Sequence, residues 1–268
     1  MFAGGTDTTS ITLDWGMTEL IMNPKVMKRA QAEVQGIVGE RRTVLESDLP
    51  QLHYIKAVIK EIFRLHPAAP VLVPRESMED VKIDEYNIPA KTRFFINAWA
   101  IGRDPESWDN PDIFEPERFL GSTVDFKGQH YELTPFGAGR RSCPAIAFAT
   151  ASVELALAQL LHSFDWELPP GTTAKDLDMT EVFGITMHKI ADLIVIAKPR
   201  FPLEHANDNP KILVIQLALF IHVKRGEREV LYLTGNCETF LINKLEQVEQ
   251  QLPHNLFCNK NIYFLKIL

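Results

Sequence analysis

Between Ala145 and Phe164 the chain is apolar nearly all round. Ile146, Phe148, Val153, Leu155, Leu157, Leu160 and Leu161 fall on every side of a helix. Such a helix needs protein on every side, so it is expected to be a central buried one. The fold must supply the surrounding core, and helical periodicity upstream provides material for it. Thr9 to Met22 carries Ile11, Leu13, Trp15, Met17, Leu20 and Ile21, and stops at Asn23-Pro24. Val26, Ala30, Val34 and Ile37 recur at helical spacing, with Lys25, Lys28, Arg29 and Glu33 expected to face out. Leu52 to Leu65 reads as a third helix, with Leu52, Ile55, Val58, Ile59, Ile62 and Phe63 on its apolar side. Between Pro67 and Pro135 prolines are dense and helices must be brief. Val71–Val73, Val81–Ile83 and Arg93–Ile96 read as strands, and Glu181 to Ala197 as a closing hairpin. The class is mainly α with small β-sheets.

Residues 1–202 and 203–268 differ in kind. The first part holds 15 of the 17 prolines and 12 of the 14 glycines. The tail carries seven positive and seven negative charges, so the whole net charge of −7 sits in the first part. Pro199 to Pro210 reads as a boundary. The tail shows helical patterning at Phe240, Leu241, Leu245, Val248 and Leu252, and no motif with assignable chemistry. An acidic balance excludes charge-driven nucleic-acid binding. Three cysteines, Cys143, Cys237 and Cys258, are too few for a disulfide scaffold. No secretory signal opens the chain. No run reaches the roughly 20 apolar residues of a membrane span. The nearest, Ile212 to Val223, is broken by Gln216 and His222.

Four short motifs follow one another. Gly4-Gly5-Thr6-Asp7-Thr8-Thr9 leads into the first helix and reads as a flexible lead with a Thr or Asp cap. Glu61-Ile62-Phe63-Arg64 places a carboxylate and a guanidinium on one helical face. At a surface that pair contributes little. Pro70 to Glu76 brings Val71, Leu72 and Val73 before Arg75. Those apolar residues suit core packing and a pocket wall equally. Phe136-Gly137-Ala138-Gly139-Arg140-Arg141-Ser142-Cys143 ends just before the apolar helix. A lone cysteine is usually a small buried hydrophobe. A metal-binding thiolate instead needs backbone N–H groups and a helix N-terminus nearby, and two glycines permit the tight turn that supplies them. No Walker loop, dinucleotide fingerprint or zinc spacing is present. None of the eight histidines forms a ligand pair at helical spacing, and His66 ahead of Pro67 reads as a helix end.

The Phe-x-x-Gly-x-Arg-x-Cys string and the three motifs before it resemble the cytochrome P450 family of haem-thiolate monooxygenases, the plant microsomal members above all. The resemblance covers residues 1–202 and not the tail. One departure stands at Ala145, where the family usually has glycine.

By that resemblance Cys143 is the iron ligand, Arg141 and Arg75 pair with haem propionates, Phe136 packs beneath the haem, and Gly139 shapes the loop. Thr8 and Asp7 would manage protons on a helix crossing over the haem. Glu61, Arg64 and Arg118 would form a buried structural network. Val71–Val73 and Phe183–Ile185 would line a pocket for a small hydrophobic substrate. Dioxygen would be the co-substrate. Electrons would come from an NADPH-dependent flavoprotein reductase docking near Arg140 and Arg141. The implied location is the endoplasmic reticulum membrane. The family's N-terminal half and its membrane anchor are expected to be missing, which would leave this chain soluble or peripheral. A rival expectation is a truncated, non-catalytic fragment. A helical interaction protein without haem is a third.

Overall fold

The computed structural model describes residues 2–201, with side chains from Gly4 onward, and the backbone of two strands at 212–216 and 262–266. The patterning at 240–252, Cys237 and Cys258 lie outside the described residues. The described chain divides into two units, residues 1–162 with 178–191, and residues 163–177 with 192–268.

The first unit is built on three packed helices. These are α1 (Phe2–Met22), α2 (Pro24–Val38) and α3 (His53–Leu65). Helix α1 starts earlier than its periodicity suggests, so Gly4 to Thr9 are helical. Asn23-Pro24 separates α1 from α2, and Pro24 opens α2 at a position that lacks a helical N–H partner anyway. Trp15, Met17 and Leu20 of α1, Ala30 and Val34 of α2, and Ile55, Val58, Ile59 and Ile62 of α3 are buried. Burying one such large aliphatic side chain contributes about 1.5–3 kcal/mol. Glu33 does not simply face out. Its carboxylate accepts from the Tyr54 and Ile55 N–H groups at 2.7 and 2.9 Å, capping the N-terminus of α3.

Past α3 the elements are short, as the prolines require. Strand β1 (Arg75–Glu76) pairs with β4 (Arg93–Phe94), and β2 (Val81–Ile83) with β3 (Tyr86–Ile88), all antiparallel. Val71–Val73 is not a strand. Leu72 adopts φ 51°, a left-handed turn conformation that ends any extended run, and β1 begins only at Arg75. A short helix α4 (Ala98–Ile101) follows, capped by the Asn97 side chain accepting from Ala100 N–H at 3.0 Å.

Helix α5 (Ile146–Ser163) corrects the expectation of a wholly buried helix. Its buried residues run from Val153 to His162, while Phe148 is 74% exposed. Apolar periodicity reports what a helix needs around it, not what the chain brings to it. The buried half is held by Gln159 and His162, which bond the backbone of Arg41, Arg42 and Val44. By length and composition α5 is long and apolar enough to cross a membrane.

In the second unit β5 (Phe164–Glu167) pairs antiparallel with a later strand, β8. Before that strand, in the first unit, come β6 (Glu181–Val182) and β7 (His188–Lys189), which form a two-stranded hairpin. Strand β8 (Ile194–Pro199) does not continue that hairpin, as Glu181 to Ala197 suggested; it joins β5 instead. Its other edge pairs antiparallel with β9 (Ile212–Gln216), which pairs in parallel with β10 (Ile262–Lys266). Leu193, Val195, Ile196 and Ala197 are buried here, on both faces of β8.

Candidate functional site

The site grows out of α3. Glu61 and Arg64 are fully buried and joined by two bonds, Nε to Oε2 at 2.8 Å and Nη2 to Oε1 at 2.7 Å. Arg64 also donates to the carbonyls of Gly102, Pro111 and Ile113. Arg118 adds a bond to Glu61 Oε1 at 3.1 Å, and the Glu115 N–H another at 2.8 Å. Each buried charge is thereby satisfied, and two chain segments, at Gly102 and at 111–118, are tied to one helix. This is not the weak surface pair that the spacing alone allows. Gly102 is required for it: a Cβ there would stand 2.2 Å from the Arg64 carbonyl oxygen.

Phe63, between the two charged residues, carries the order outward. Its ring meets Phe136 edge-on at 5.0 Å and Phe126 at 5.3 Å. Phe136 starts the cysteine loop. Gly137 and Gly139 both adopt φ 72°, a conformation open to glycine and strained for other residues. The loop closes on itself where the Cys143 N–H donates to the Phe136 carbonyl at 2.9 Å and the Ser142 N–H to Gly139 at 3.1 Å. Cys143 is a free, half-buried thiol three residues ahead of α5.

Arg75 reaches this loop from β1. Its Nη2 donates to the Arg141 carbonyl at 3.3 Å. The structure therefore brings Arg75, Phe136, Gly139, Arg141 and Cys143 together. Thr8 and Asp7 find their partners elsewhere. The Thr8 hydroxyl donates to the Gly4 carbonyl at 2.9 Å and Thr9 to Gly5 at 2.7 Å, the back-bonding that loosens a helix. Asp7 lies 3.8 Å from His188 Nε2 on β7.

The family model for cytochrome P450 matches residues 1–194. The chain belongs to the cytochrome P450 family. It is 80% identical over 202 residues to cytochrome P450 71AP13 of Prunus mume, covering 75% of this chain and 39% of the relative. Cytochrome P450 71A1 of Persea americana is 61% identical over 198 residues, with 74% and 39% covered. A zebra fish cytochrome P450 solved with abiraterone shares 34% identity at a TM-score of 0.67, over 74% of this chain and 45% of that one. The chain thus spans about two fifths of the length of these curated relatives, 39% in each case. The fold is the C-terminal portion of the cytochrome P450 fold.

Haem fits the donor set at the loop. A thiol stands on a closed turn, and the Arg75 guanidinium reaches the backbone of the same loop, a pairing that suits a metal-bearing macrocycle with carboxylate arms. Among the described residues no three His, Cys, Asp or Glu side chains gather as a metal site.

Sequence reasoning missed three features here. Glu33 looked like a surface charge. His66 is more than a helix end: it stacks on Trp15 at 4.0 Å and bonds Glu19 at 2.8 Å. Glu181 lies 3.7 Å from the other His66 nitrogen, and accepts from Trp99 Nε1 at 3.0 Å. Nothing in linear spacing joins residues 19, 66, 99 and 181.

Proposed function

We propose that this chain is the haem-binding part of a monooxygenase acting on a small hydrophobic organic substrate. The observation that carries the reading is the Phe136–Cys143 loop, a half-buried thiol on a glycine turn with Arg75 fastened to it. The overall conversion is RH + O2 + 2 e− + 2 H+ → ROH + H2O. Bound haem would supply dioxygen binding and reductive cleavage, which ligation by a thiolate favours.

The residues divide the remaining work. Cys143 Sγ would hold the iron as a thiolate. Arg75 and Arg141 would neutralise the propionates. Phe136 would support the haem from the Phe63 side, with Gly139 keeping the turn. Asp7 would take up protons from solvent and pass them toward Thr8. The Thr8 hydroxyl proton rests on the Gly4 carbonyl, and its oxygen keeps lone pairs to accept a proton donor. Val73, Phe183 and Ile185, all exposed, with buried Leu72, would form apolar walls for the substrate. The two electrons would come from an NADPH-dependent flavoprotein reductase meeting exposed Arg140 and Arg141. Residues 1–202 would carry this function and residues 203–268 would be a tail outside it. By family likeness the working protein would sit at the endoplasmic reticulum membrane.

A second reading is a fragment that binds haem without turnover. Two observations favour it: the 39% coverage of the relatives and the exposed first half of α5. Incubation of the haem-loaded chain with reductase, NADPH and labelled dioxygen over a panel of hydrophobic substrates separates the two. Label in the product supports the monooxygenase. Haem uptake with no labelled product supports the fragment.

A further inference from the structure

We propose that Lys189 is a positioning residue, whose buried ammonium latches the β6–β7 hairpin to α1 and sets the stance of the hairpin tip. What the tip faces rests on the haem-site reading above; the latch stands on geometry alone.

The Lys189 side chain is only 2% exposed. An ammonium so buried is strongly disfavoured unless it is paired and hydrogen-bonded. Lys189 Nζ donates to Thr18 Oγ1 at 2.6 Å and lies 3.3 Å from Asp14 Oδ1. It also sits 5.8 Å from the Trp15 ring centre. Asp14 and Thr18 are four apart, one turn of α1, so a single cation grips one turn of the helix. The Thr18 hydroxyl gives its own proton to the Asp14 carbonyl at 2.8 Å, which leaves its oxygen free to accept from Lys189.

Neighbouring contacts fix the same strand. Trp15 Nε1 donates to the Met187 carbonyl at 3.2 Å, and the Met187 N–H donates to Ala68 at 3.0 Å. The hairpin's own ladder pairs only Glu181 with Lys189 and Val182 with His188. A two-stranded ladder that short does not hold an orientation by itself. Orientation therefore comes from the base, where Lys189 sits. At the other end Phe183 is 69% and Ile185 82% exposed. A hairpin fixed at its base presents those two side chains at a set height. A bulky ligand would feel that height and a small one would not.

Two measurements on the full chain test this. In the haem-free chain, Lys189→Met and Asp14→Asn are expected to speed amide hydrogen exchange across residues 182–190 while α3 stays protected. Unchanged exchange in the hairpin overturns the latch. Should Lys189→Met also lose α3 protection, Thr18→Val, which removes one bond and no charge, carries the test instead. In the haem-loaded chain, imidazole and 4-phenylimidazole are titrated spectroscopically. Lys189→Met should weaken the phenyl ligand by about tenfold and leave imidazole unchanged. Lys189→Arg should restore the wild-type ratio. Equal weakening of both ligands, or of neither, overturns the positioning role. A chain that takes up no haem contradicts the proposed function, while the exchange measurement still decides the latch.

Discussion

At the residue scale, the buried charges decide most. Arg64 serves Glu61 and three carbonyls from one position, so its removal leaves Glu61 Oε2 and the buried Gly102 and Pro111 carbonyls without that donor, and only Oε1 keeps its bonds to Arg118 and the Glu115 N–H. Arg64→Met is expected to cost about 3–5 kcal/mol in a denaturant titration. Arg118→Met should cost less, because Glu61 would keep Arg64 and the Glu115 N–H. Equal losses would show that the pair does not work as described. Glu181 makes a different prediction. Burial alone would raise its pKa, but His66, Arg103 and Trp99 outweigh this and hold the carboxyl below its ordinary value of 4.5. A carboxyl with a depressed folded-state pKa adds stability above its unfolded pKa and loses it as pH falls through the folded value. Glu181→Gln should therefore lower the urea midpoint at neutral pH and converge with wild type in strong acid. A gap independent of pH would contradict that assignment.

Elements meet at close approaches that glycines mark, and these differ in cost. A Cβ on Gly102 would meet the backbone oxygen of Arg64, which is main chain and cannot turn aside as a side chain can. A Cβ on Gly16 of α1 would stand 2.7 Å from Ile62 Cδ1, the far end of a side chain that can turn away. Gly102→Ala is expected to lower thermal stability far more than Gly16→Ala, and the reverse order would contradict the packing. Helix α3 also depends on α2 for its start. Glu33→Ala should cost about 1–2 kcal/mol, since two N–H groups at the α3 N-terminus lose their acceptor. The helices themselves were legible in the sequence, because apolar spacing in α1, α2 and α3 follows the burial. What spacing could not carry was partner choice. Glu33 looked solvent-facing, Leu72 hid a left-handed turn inside an apolar run, and Ile194–Ala197 looked like part of a hairpin that ends at Lys189. The first and last depend on contacts distant in sequence, and the Leu72 turn on a local bond to the Ala69 carbonyl that apolar character does not reveal.

Across the whole molecule, it was the family resemblance and not local spacing that joined Arg118 to Glu61 and Arg64 and set Arg75 beside the cysteine loop, contacts that the structure contains. The exposed half of α5 was not legible, because no local pattern states what else a chain contains. All seven proposed site residues lie in the first unit. Deleting residues 203–268 is therefore expected to leave haem uptake unchanged in a haem titration, and loss of uptake would tie the tail to the site. The account's central claim is that Cys143 holds haem iron as a thiolate. The most direct test is the absorption spectrum of the reduced, haem-supplied chain under carbon monoxide, for wild type and Cys143→Ser. The account predicts a red-shifted, thiolate-type Soret band in the wild type and its loss in Cys143→Ser. No haem band in the wild type, or the same shifted band in Cys143→Ser, would contradict it.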